Sequence, residues 1–431
     1  MNPKVCVVGA GSSGITACKV LHQHGIDFDC YEKGSQIGGN WRYLNDNGMS
    51  SSYRSLHINT SRNVMAYSDF PMPEDYPDYP SHFQIIEYFE NYVNHFGFRD
   101  KILFNLGIVK IEKAENNQYK VFLDNGESKI YDYVLIASGH HWKARYPDFN
   151  GVFTGEILHS HHYKTPDIFQ GNKNVVVVGI GNSAVDIACE ASRNTTGKVW
   201  ISTRSGAYIL PKYIMGIPFD TLNKYSLDWI PMAFKRSLLS LFLWLARGKQ
   251  TNYGVPKPNR PLLSEHPTIS QELLGLAGHG KVHFKPNIKE LAGEYILFED
   301  GSKEKVDVLI YATGYKIAFP FFDKTFIDAE EQNDIQLYKN VIHPDHKNLY
   351  FIGLLQPLGA IMPLAEVQSE WVAKIILDKI QLPSKELMLR DIAKEKSKMK
   401  KRYKNSPRHT IQVEFYPYKN MIKREIKKAK V

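Results

Sequence analysis

Short apolar runs closed by glycine recur along this chain, and each is followed by apolar residues at helical spacing. "KVCVVGAGSSG", from Lys4 to Gly14, runs into "ITACKVLHQHG". "NVVVVGIGNSAVDIA", from Asn174 to Ala188, repeats the order of strand, glycine turn and helix. Apolar stretches of about four to eight residues bounded by turn signals are the pattern of strands buried on both faces, as in a parallel sheet covered by helices. A further strand follows each helix, "DFDCYEK" after the first and "KVWISTRSG" after the second. Two later runs, "YVLIASGHH" (Tyr133 to His141) and "VLIYATGYK" (Val308 to Lys316), end in Ala-Ser-Gly and Ala-Thr-Gly at similar distances from their own glycine turns. The recurrence predicts an internal duplication. We expect an α/β chain of two Rossmann-like dinucleotide-binding domains, the second inserted into the first. Residues 1–165 begin the first domain and 306–431 complete it; 166–305 form the second, with an insertion at about 212–285.

The two turns carry different chemistry. In Gly9-x-Gly11-x-x-Gly14 the glycines allow a tight bend and close approach to a pyrophosphate. The helix amino end at Ser12, Ser13 and Gly14 then faces that pyrophosphate with unpaired N–H groups. Glu32 ends the next strand, where a carboxylate accepts hydrogen bonds from the hydroxyls of an unphosphorylated ribose. The second copy reads Gly179-x-Gly181-x-x-Ala184, with Asn182 and Ser183 opening its helix. Alanine is tolerated at the third position, which needs only a small residue for helix–strand packing. Its following strand ends in Thr203-Arg204-Ser205 in place of an acid. A guanidinium with flanking hydroxyls suits a 2′-phosphate, and one charged hydrogen-bonded contact of about 1.5–3 kcal/mol favours NADP over NAD by about 10–150-fold. One bare and one phosphorylated ribose in a single chain point to a resident FAD reduced by NADPH.

Composition sets the limits. With 43% hydrophobic and 23% charged residues in 431, this is a folded, enzyme-sized chain with no disordered tract. Cys6, Cys18, Cys30 and Cys189 form no CxxC pair, so buried packing in a reducing cytoplasm is expected. The first strand begins too early to leave room for a secretory leader. The net charge of +9 concentrates in "KEKSKMKKRYKNS" and "KREIKKAKV", expected as a solvated terminal helix or tail, with anionic lipid as the alternative. No recognition motif accompanies it, so nucleic acid is not an expected partner. Histidines gather at His140, His141, His159, His161 and His162. The adjacent pair His161 and His162 points apart in an extended segment, so structural histidines are expected and a metal is not.

At these residues the chain resembles the flavin-containing monooxygenases along nearly its whole length. "FTGEILHSHHYK" is similar to the family fingerprint FxGxxxHxxxY/F-K through Phe153, Gly155, His159, Tyr163 and Lys164. It lacks the Trp and the Pro or Asp that end the related Baeyer–Villiger fingerprint. Other similar stretches are "YEKGSQIGGNWRY", "SSYRSLHINTSRNVMAYSDFPMPEDYP", "GIGNSAVDIA", "STRSG", "IYATGYKIAFPF", "IGLLQPLGAIMP" and "KRYKNSPRHTIQ". The resemblance implies that the fingerprint links the FAD and NADPH domains, with His159 and Tyr163 as hinge or inter-domain contacts. It also implies that reduced FAD binds O2 as a C4a-hydroperoxide whose distal oxygen a soft nucleophile attacks, so no catalytic triad is needed. Asn59 then hydrogen-bonds the flavin adduct and the nicotinamide nucleotide, Tyr53 contacts NADP, and Asn40, Trp41 and Thr60 contact FAD. Gln356 stands where related disulfide reductases carry a flavin-binding acid, a departure that favours monooxygenase over reductase.

The expected activity is NADPH- and O2-dependent oxygenation of amine nitrogen or thioether sulfur in small molecules. Baeyer–Villiger oxygenation of ketones stays open through "QPLGAIMP" and "RHTIQ", which vertebrate relatives resembling this chain share. An uncoupled NADPH oxidase or flavin reductase also fits both nucleotide turns, and a non-enzymatic redox-sensing flavoprotein is a further alternative. The insertion contains "WIPMAFKRSLLSLFLWLARGK", whose apolar core from Leu241 to Ala246 is too short to span a bilayer. A buried covering helix is expected there, with a helix lying in the membrane interface as the alternative. Vertebrate relatives carry a hydrophobic C-terminal anchor where this chain ends in lysines, so a soluble, cytoplasmic protein is expected. Peripheral membrane contact and a homodimer are left open.

Overall fold

The computed structural model describes residues 3–222, 232–264, 267–331, 333–402 and 410–430. Trp229 to Pro231, at the start of the insertion motif, and most of "KRYKNSPRHTIQ" lie outside them. Two compact units emerge: Met1–Ser52 with Leu56–Lys143 and Tyr315–Val431, and Tyr53–Ser55 with Ala144–Gly314. The second unit thus begins earlier than residue 166 and ends later than residue 305.

The first unit is built on a five-stranded parallel sheet in the order Leu349–Phe351, Tyr133–Ile136, Lys4–Val8, Asp27–Tyr31, Ile102–Leu103. Side chains alternate across a strand, and here both faces are covered. Val5 and Val7 join the core that holds Ile15, Leu21, Leu364 and Trp371. Cys6 and Val8 join the one that holds Tyr119, Val121 and Tyr131. That double burial is why these strands read as unbroken apolar runs. Helices Ser12–Gln23 and Met362–Ile376 cover one face, and an antiparallel meander of Ile108–Lys113, Tyr119–Leu123 and Ser128–Tyr131 covers the other.

The second unit repeats the plan. Its parallel sheet runs Glu156–His159, Val308–Tyr311, Val175–Val178, Val199–Ser202, His283–Lys285. Position by position it matches the first sheet. A second meander, Ile288–Gly293, Tyr295–Phe298 and Lys303–Lys305, again lies in sequence between the edge strand and the Ala-Thr-Gly strand, and packs through Ile296 and Phe298 on Val176 and Leu309. The duplication therefore extends to a layer that the apolar pattern alone did not reveal.

Three expectations are corrected. The fingerprint does not lie at a domain boundary: Phe153 to Lys164 falls wholly within the second unit, because Glu156–His159 pairs in parallel with Val308–Tyr311 as an edge strand. The insertion helix Met232–Arg247 is not buried; Phe234, Leu238, Leu241, Phe242, Trp244 and Leu245 are exposed and Leu243 is covered. The basic terminus is not fully solvated either, since helix Phe415–Ile426 buries Phe415, Tyr418 and Ile422. The four cysteines are buried and unpaired.

The third position of each turn explains the Gly/Ala difference. A Cβ on Gly14 would stand 1.8 Å from the Gly9 carbonyl oxygen, a backbone clash that no rotamer relieves. Ala184 occupies the corresponding place at 1% exposure. Gly14→Ala is expected to cost about 1–3 kcal/mol or more by overpacking, whereas Ala184→Gly costs about 0.5–1 kcal/mol of helix stability. Thermal unfolding of both variants checks this; equal shifts in Tm would show that the two turns are packed alike.

Candidate cofactor sites

Helix Ser12–Gln23 begins at Gly11 with no side chain capping it. The first intrahelical acceptance is Ile15 N–H to Gly11 O, so the amides of Ser12, Ser13 and Gly14 are the orphan donors of a helix amino end. Glu32 is 4% exposed beside them. Its Oε2 accepts Ala10 N–H at 2.9 Å, and its Oε1 accepts Gly34 N–H and Asn47 Nδ2–H at 2.9 and 3.0 Å. A carboxylate offers about four lone-pair sites, so one on Oε2 remains for a ribose hydroxyl. Asn40 is drawn to the same turn, since Gly38 N–H donates to Ala10 O. Its side-chain oxygen accepts Ser51 N–H and Oγ–H, each at 2.8 Å. Trp41 is half-buried and packs against the first core.

Four buried polar atoms just after strand Tyr133–Ile136 lack a partner among the described residues: Ser138 Oγ, both ring nitrogens of His140, and Trp142 Nε1. They follow the Ala-Ser-Gly strand, whose Ala137 carbonyl lies 3.2 Å from where a Gly9 Cβ would be. Burial and the neighbouring His141 push the His140 pKa well below the ordinary histidine value. Orphaned buried donors and acceptors carry a cost of about 1–3 kcal/mol each unless a ligand or water satisfies them. Together with the uncapped helix and the open Glu32 lone pair, they fit a polar cofactor of the size of FAD.

Gly353, which sequence reasoning passed over, belongs to this site as well. A Cβ there would lie 2.0 Å from Ser13 Oγ, so only glycine lets the chain after strand Leu349–Phe351 reach the helix amino end. Gln356 lies farther on, where it opens a short strand paired with Gln412–Glu414. Asn59 is half-buried, and its side-chain amide has no hydrogen-bond partner among the described residues. The chain reaches it through Ile58, whose N–H donates to Pro80 O, and Thr60 beside it is 8% exposed.

In the second unit, helix Asn182–Asn194 likewise starts at an uncapped Gly181. Gly179 N–H donates to Ser202 O on one side, and Ala312 N–H donates to Val178 O on the other. Asn182 Oδ1 accepts Ile269 N–H at 2.8 Å, which seats part of the insertion on the turn. Ser183 and Arg204 are exposed, and no carboxylate pairs with Arg204 among the described residues. The Thr203 hydroxyl is tied within its own turn to Ser205 O at 2.7 Å. An uncapped helix and an unpaired guanidinium at the end of the second strand fit a phosphorylated dinucleotide.

The same unit holds a cluster that sequence reasoning did not find. Tyr53 donates to Asp186 Oδ2 at 2.6 Å, Tyr163 to Glu190 Oε2 at 2.7 Å and Ser55 to the same oxygen at 2.9 Å. The spacing of Asp186 and Glu190, one helical turn apart, is the signal that could have shown it. Burial pushes the Asp186 carboxyl up to about 6. His159 is fully buried, and its Nδ1 accepts His161 N–H at 3.1 Å. Among the described residues no group of three or more His, Cys, Asp or Glu is placed to hold a metal.

Comparison with known proteins adds to this geometry. The profile of the family described as "FMO-like: Flavin-binding monooxygenase-like" matches residues 2–430. "Flavin-containing monooxygenase 5" of Oryctolagus cuniculus is 36% identical over 433 residues, which cover 96% of this chain and 80% of that one. Among solved structures, S-allyl-L-cysteine S-oxygenase from Allium sativum superposes with a TM-score of 0.75 at 23% identity, covering 100% of this chain and 90% of the other. The OTEMO complex with FAD and NADP superposes with a TM-score of 0.75 at 18% identity, covering 98% and 97%.

His159 makes this unit sensitive to acid. Burial first, then His161 and His162, lowers its pKa to about 4, against about 6.5 for a free histidine. A lowered folded-state value means that the contribution is complete above about pH 6.5 and is lost as pH falls towards 4. At most about 3 kcal/mol is at stake. His159→Asn is expected to flatten the fall in Tm between pH 6.5 and 4; a parallel fall in variant and wild type would remove His159 as its source.

Proposed function

The chain belongs to the flavin-binding monooxygenase-like family, and from that premise we propose that it oxygenates soft nucleophiles, amine nitrogen or thioether sulfur, in small molecules. It is a flavin-dependent monooxygenase with FAD and NADP(H) as its cofactors. When bound, reduced FAD supplies the activation of O2 that no amino-acid side chain provides. The residues bind, orient and shield. Amides of Ser12, Ser13 and Gly14 take the FAD pyrophosphate, and Glu32 accepts its ribose hydroxyl. Gly179, Gly181 and the amides of Asn182, Ser183 and Ala184 do the same for NADPH, with Arg204 on the 2′-phosphate.

The observation that carries this reading is Asn59. A half-buried carboxamide with no hydrogen-bond partner among the described residues offers both a donor and an acceptor to a bound group. By resemblance to the family its amide is assigned to hydrogen-bond the flavin and the nicotinamide nucleotide, without supplying a proton that would release peroxide. Tyr53, Asn40, Thr60 and Gln356 remain assigned to the cofactors by resemblance to the family. Nitrogen or sulfur is favoured over ketone oxygenation because the fingerprint closes on Tyr163 and Lys164, with Tyr163 fixed on Glu190.

Asn59→Ala is expected to leave FAD bound while raising the peroxide released per NADPH oxidised several-fold. Unchanged coupling would exclude Asn59 from the chemistry. Offering a thioether and a ketone together to the wild type tests the substrate class: sulfoxide should dominate, and an ester product would move the assignment to Baeyer–Villiger oxygenation.

A second reading concerns location. Among the described residues no helix is long and apolar enough to cross a membrane. Yet Met215 on a hairpin is 89% exposed, and on helix Met232–Arg247 Leu245 is 67% and Trp244 55% exposed. Large exposed apolar side chains gathered on one helix mark an interaction site, and we assign them to peripheral contact with a lipid interface. Co-sedimentation with vesicles of phosphatidylcholine and phosphatidylserine should be lost in Leu245→Glu with Met215→Glu. A homodimer that dissociates in the same variant, with no vesicle binding by the wild type, would reassign the surface to a second copy.

A further inference from the structure

Arg145 lies outside every motif considered above, yet it flanks the second glycine turn. Its Nε and Nη2 donate to the Thr313 carbonyl at 3.2 and 2.9 Å, and its own N–H donates to Gly314 O. In return the Thr313 hydroxyl donates to the Arg145 carbonyl at 2.5 Å. Thr313 directly follows Ala312, whose carbonyl lies 2.6 Å from the position of a Gly179 Cβ. On the opposite side of the turn, Ser202 accepts Gly179 N–H, and Arg204 stands two residues beyond it. The turn that opens helix Asn182–Asn194 is thus held between two edges, one bearing Arg204 and the other pinning Arg145.

The charge on these edges is uncompensated. Among the described residues neither guanidinium pairs with a carboxylate. The two are close enough to repel: desolvation first and the Arg204 charge second lower the Arg145 pKa. A guanidinium has five N–H donors, and the Thr313 carbonyl engages two of Arg145's groups, which leaves donors for a ligand. Like charges held together beside three uncapped helix amides describe an anion site with more than one negative centre.

In a parallel sheet of this order, a dinucleotide lies across the carboxyl ends of the strands. Its adenosine ribose sits at the strand after the glycine helix, and its pyrophosphate crosses the helix amino end towards the strand on the other side. Arg204 stands at the first of these places and Arg145 at the second. Resting on the NADP(H) reading of this unit, we propose that Arg145 binds the pyrophosphate of the nicotinamide nucleotide. It therefore sets affinity for NADPH and NADH alike, whereas Arg204 discriminates between them.

Calorimetric titration of the FAD-loaded protein with two nucleotide fragments separates these roles. ADP-ribose carries the pyrophosphate and no 2′-phosphate; 2′,5′-ADP carries the 2′-phosphate and no pyrophosphate. Arg145→Gln should weaken ADP-ribose and NADP+ roughly tenfold or more and change 2′,5′-ADP little, whereas Arg204→Gln should weaken 2′,5′-ADP and NADP+ and change ADP-ribose little. Arg145→Lys keeps the charge without propping Thr313 through the planar fork. Recovery of ADP-ribose affinity in that variant supports a direct contact, and its failure to recover overturns the proposal in favour of a structural prop. Equal weakening of both fragments in Arg145→Gln, or no weakening, also overturns it. If the wild type binds neither fragment, the NADP(H) reading of the unit falls instead.

Discussion

Helices Ser12–Gln23 and Asn182–Asn194 each begin at a glycine that caps nothing. An α-helix leaves its first amides without partners, and their aligned dipoles place about half a positive charge at that end. Most proteins cover such an end with Ser, Thr, Asp or Asn. A side-chain cap at Gly11 or Gly181 would occupy the space that a phosphate needs, so the fold keeps both ends open. On the proposed reading the anion at each end is a cofactor pyrophosphate. Much else in the two sheets serves this requirement. The double burial of Val5 to Val8 and Val175 to Val178 fixes the strands that deliver the chain to each turn. Glycine or alanine at the third position lets the helix settle against its own strand.

What separates the two sites is one position at the end of the next strand. Glu32 is buried and holds three hydrogen bonds from its surroundings, so it shapes the first turn as well as facing it. A phosphate brought near that carboxylate would meet like charge in a poorly solvated place, which costs more than a lost contact. Arg204 is exposed and, among the described residues, pairs with no carboxylate, so on the proposed reading it suits the phosphate that Glu32 would reject. On the proposed reading, selectivity between a bare and a phosphorylated ribose needs no difference in fold, only this one position.

The strand–turn–helix units were legible because buried parallel strands leave unbroken apolar runs and because glycine has few substitutes at a tight turn. The meanders and the edge strand Glu156–His159 were not. Their residues alternate or are too short to stand out, and only pairing with Val308–Tyr311 reveals the latter. That is why the fingerprint looked like a linker and proved to be part of the second sheet. The insertion helix failed for a different reason. Leu241 to Ala246 reads as buried by composition, yet nothing in a single sequence says whether a partner surface exists to bury it, and in this chain most of it faces outward. At the sites, residues engaged through backbone, such as Gly353, or through tertiary pairing, such as Arg145, carry no local pattern that a reading of neighbours can detect.

The Tyr53–Asp186 and Tyr163–Glu190 pairs show how the nucleotide unit tolerates acids facing inward from its first helix. Asp186 is pushed up to about 6 by burial, an effect that the hydrogen bond from Tyr53 and the nearby Lys212 charge partly offset. Because its folded-state value exceeds that of a free carboxyl, ionisation opposes folding as pH rises from about 4 to 6. Tyr53 limits that loss by donating at 2.6 Å. Glu190 takes two hydroxyls, from Tyr163 and Ser55. Both tyrosines are nearly inaccessible and stand 5.8 Å apart, ring to ring, so the fingerprint tyrosine and the segment 53–55 are fastened to one helix by three hydrogen bonds to two acids one turn apart. An acid pair at this spacing repels itself unless each member is answered, and the two tyrosine hydroxyls are that answer. The conformation of segment 53–55 is consequently set by hydrogen bonds to helix Asn182–Asn194.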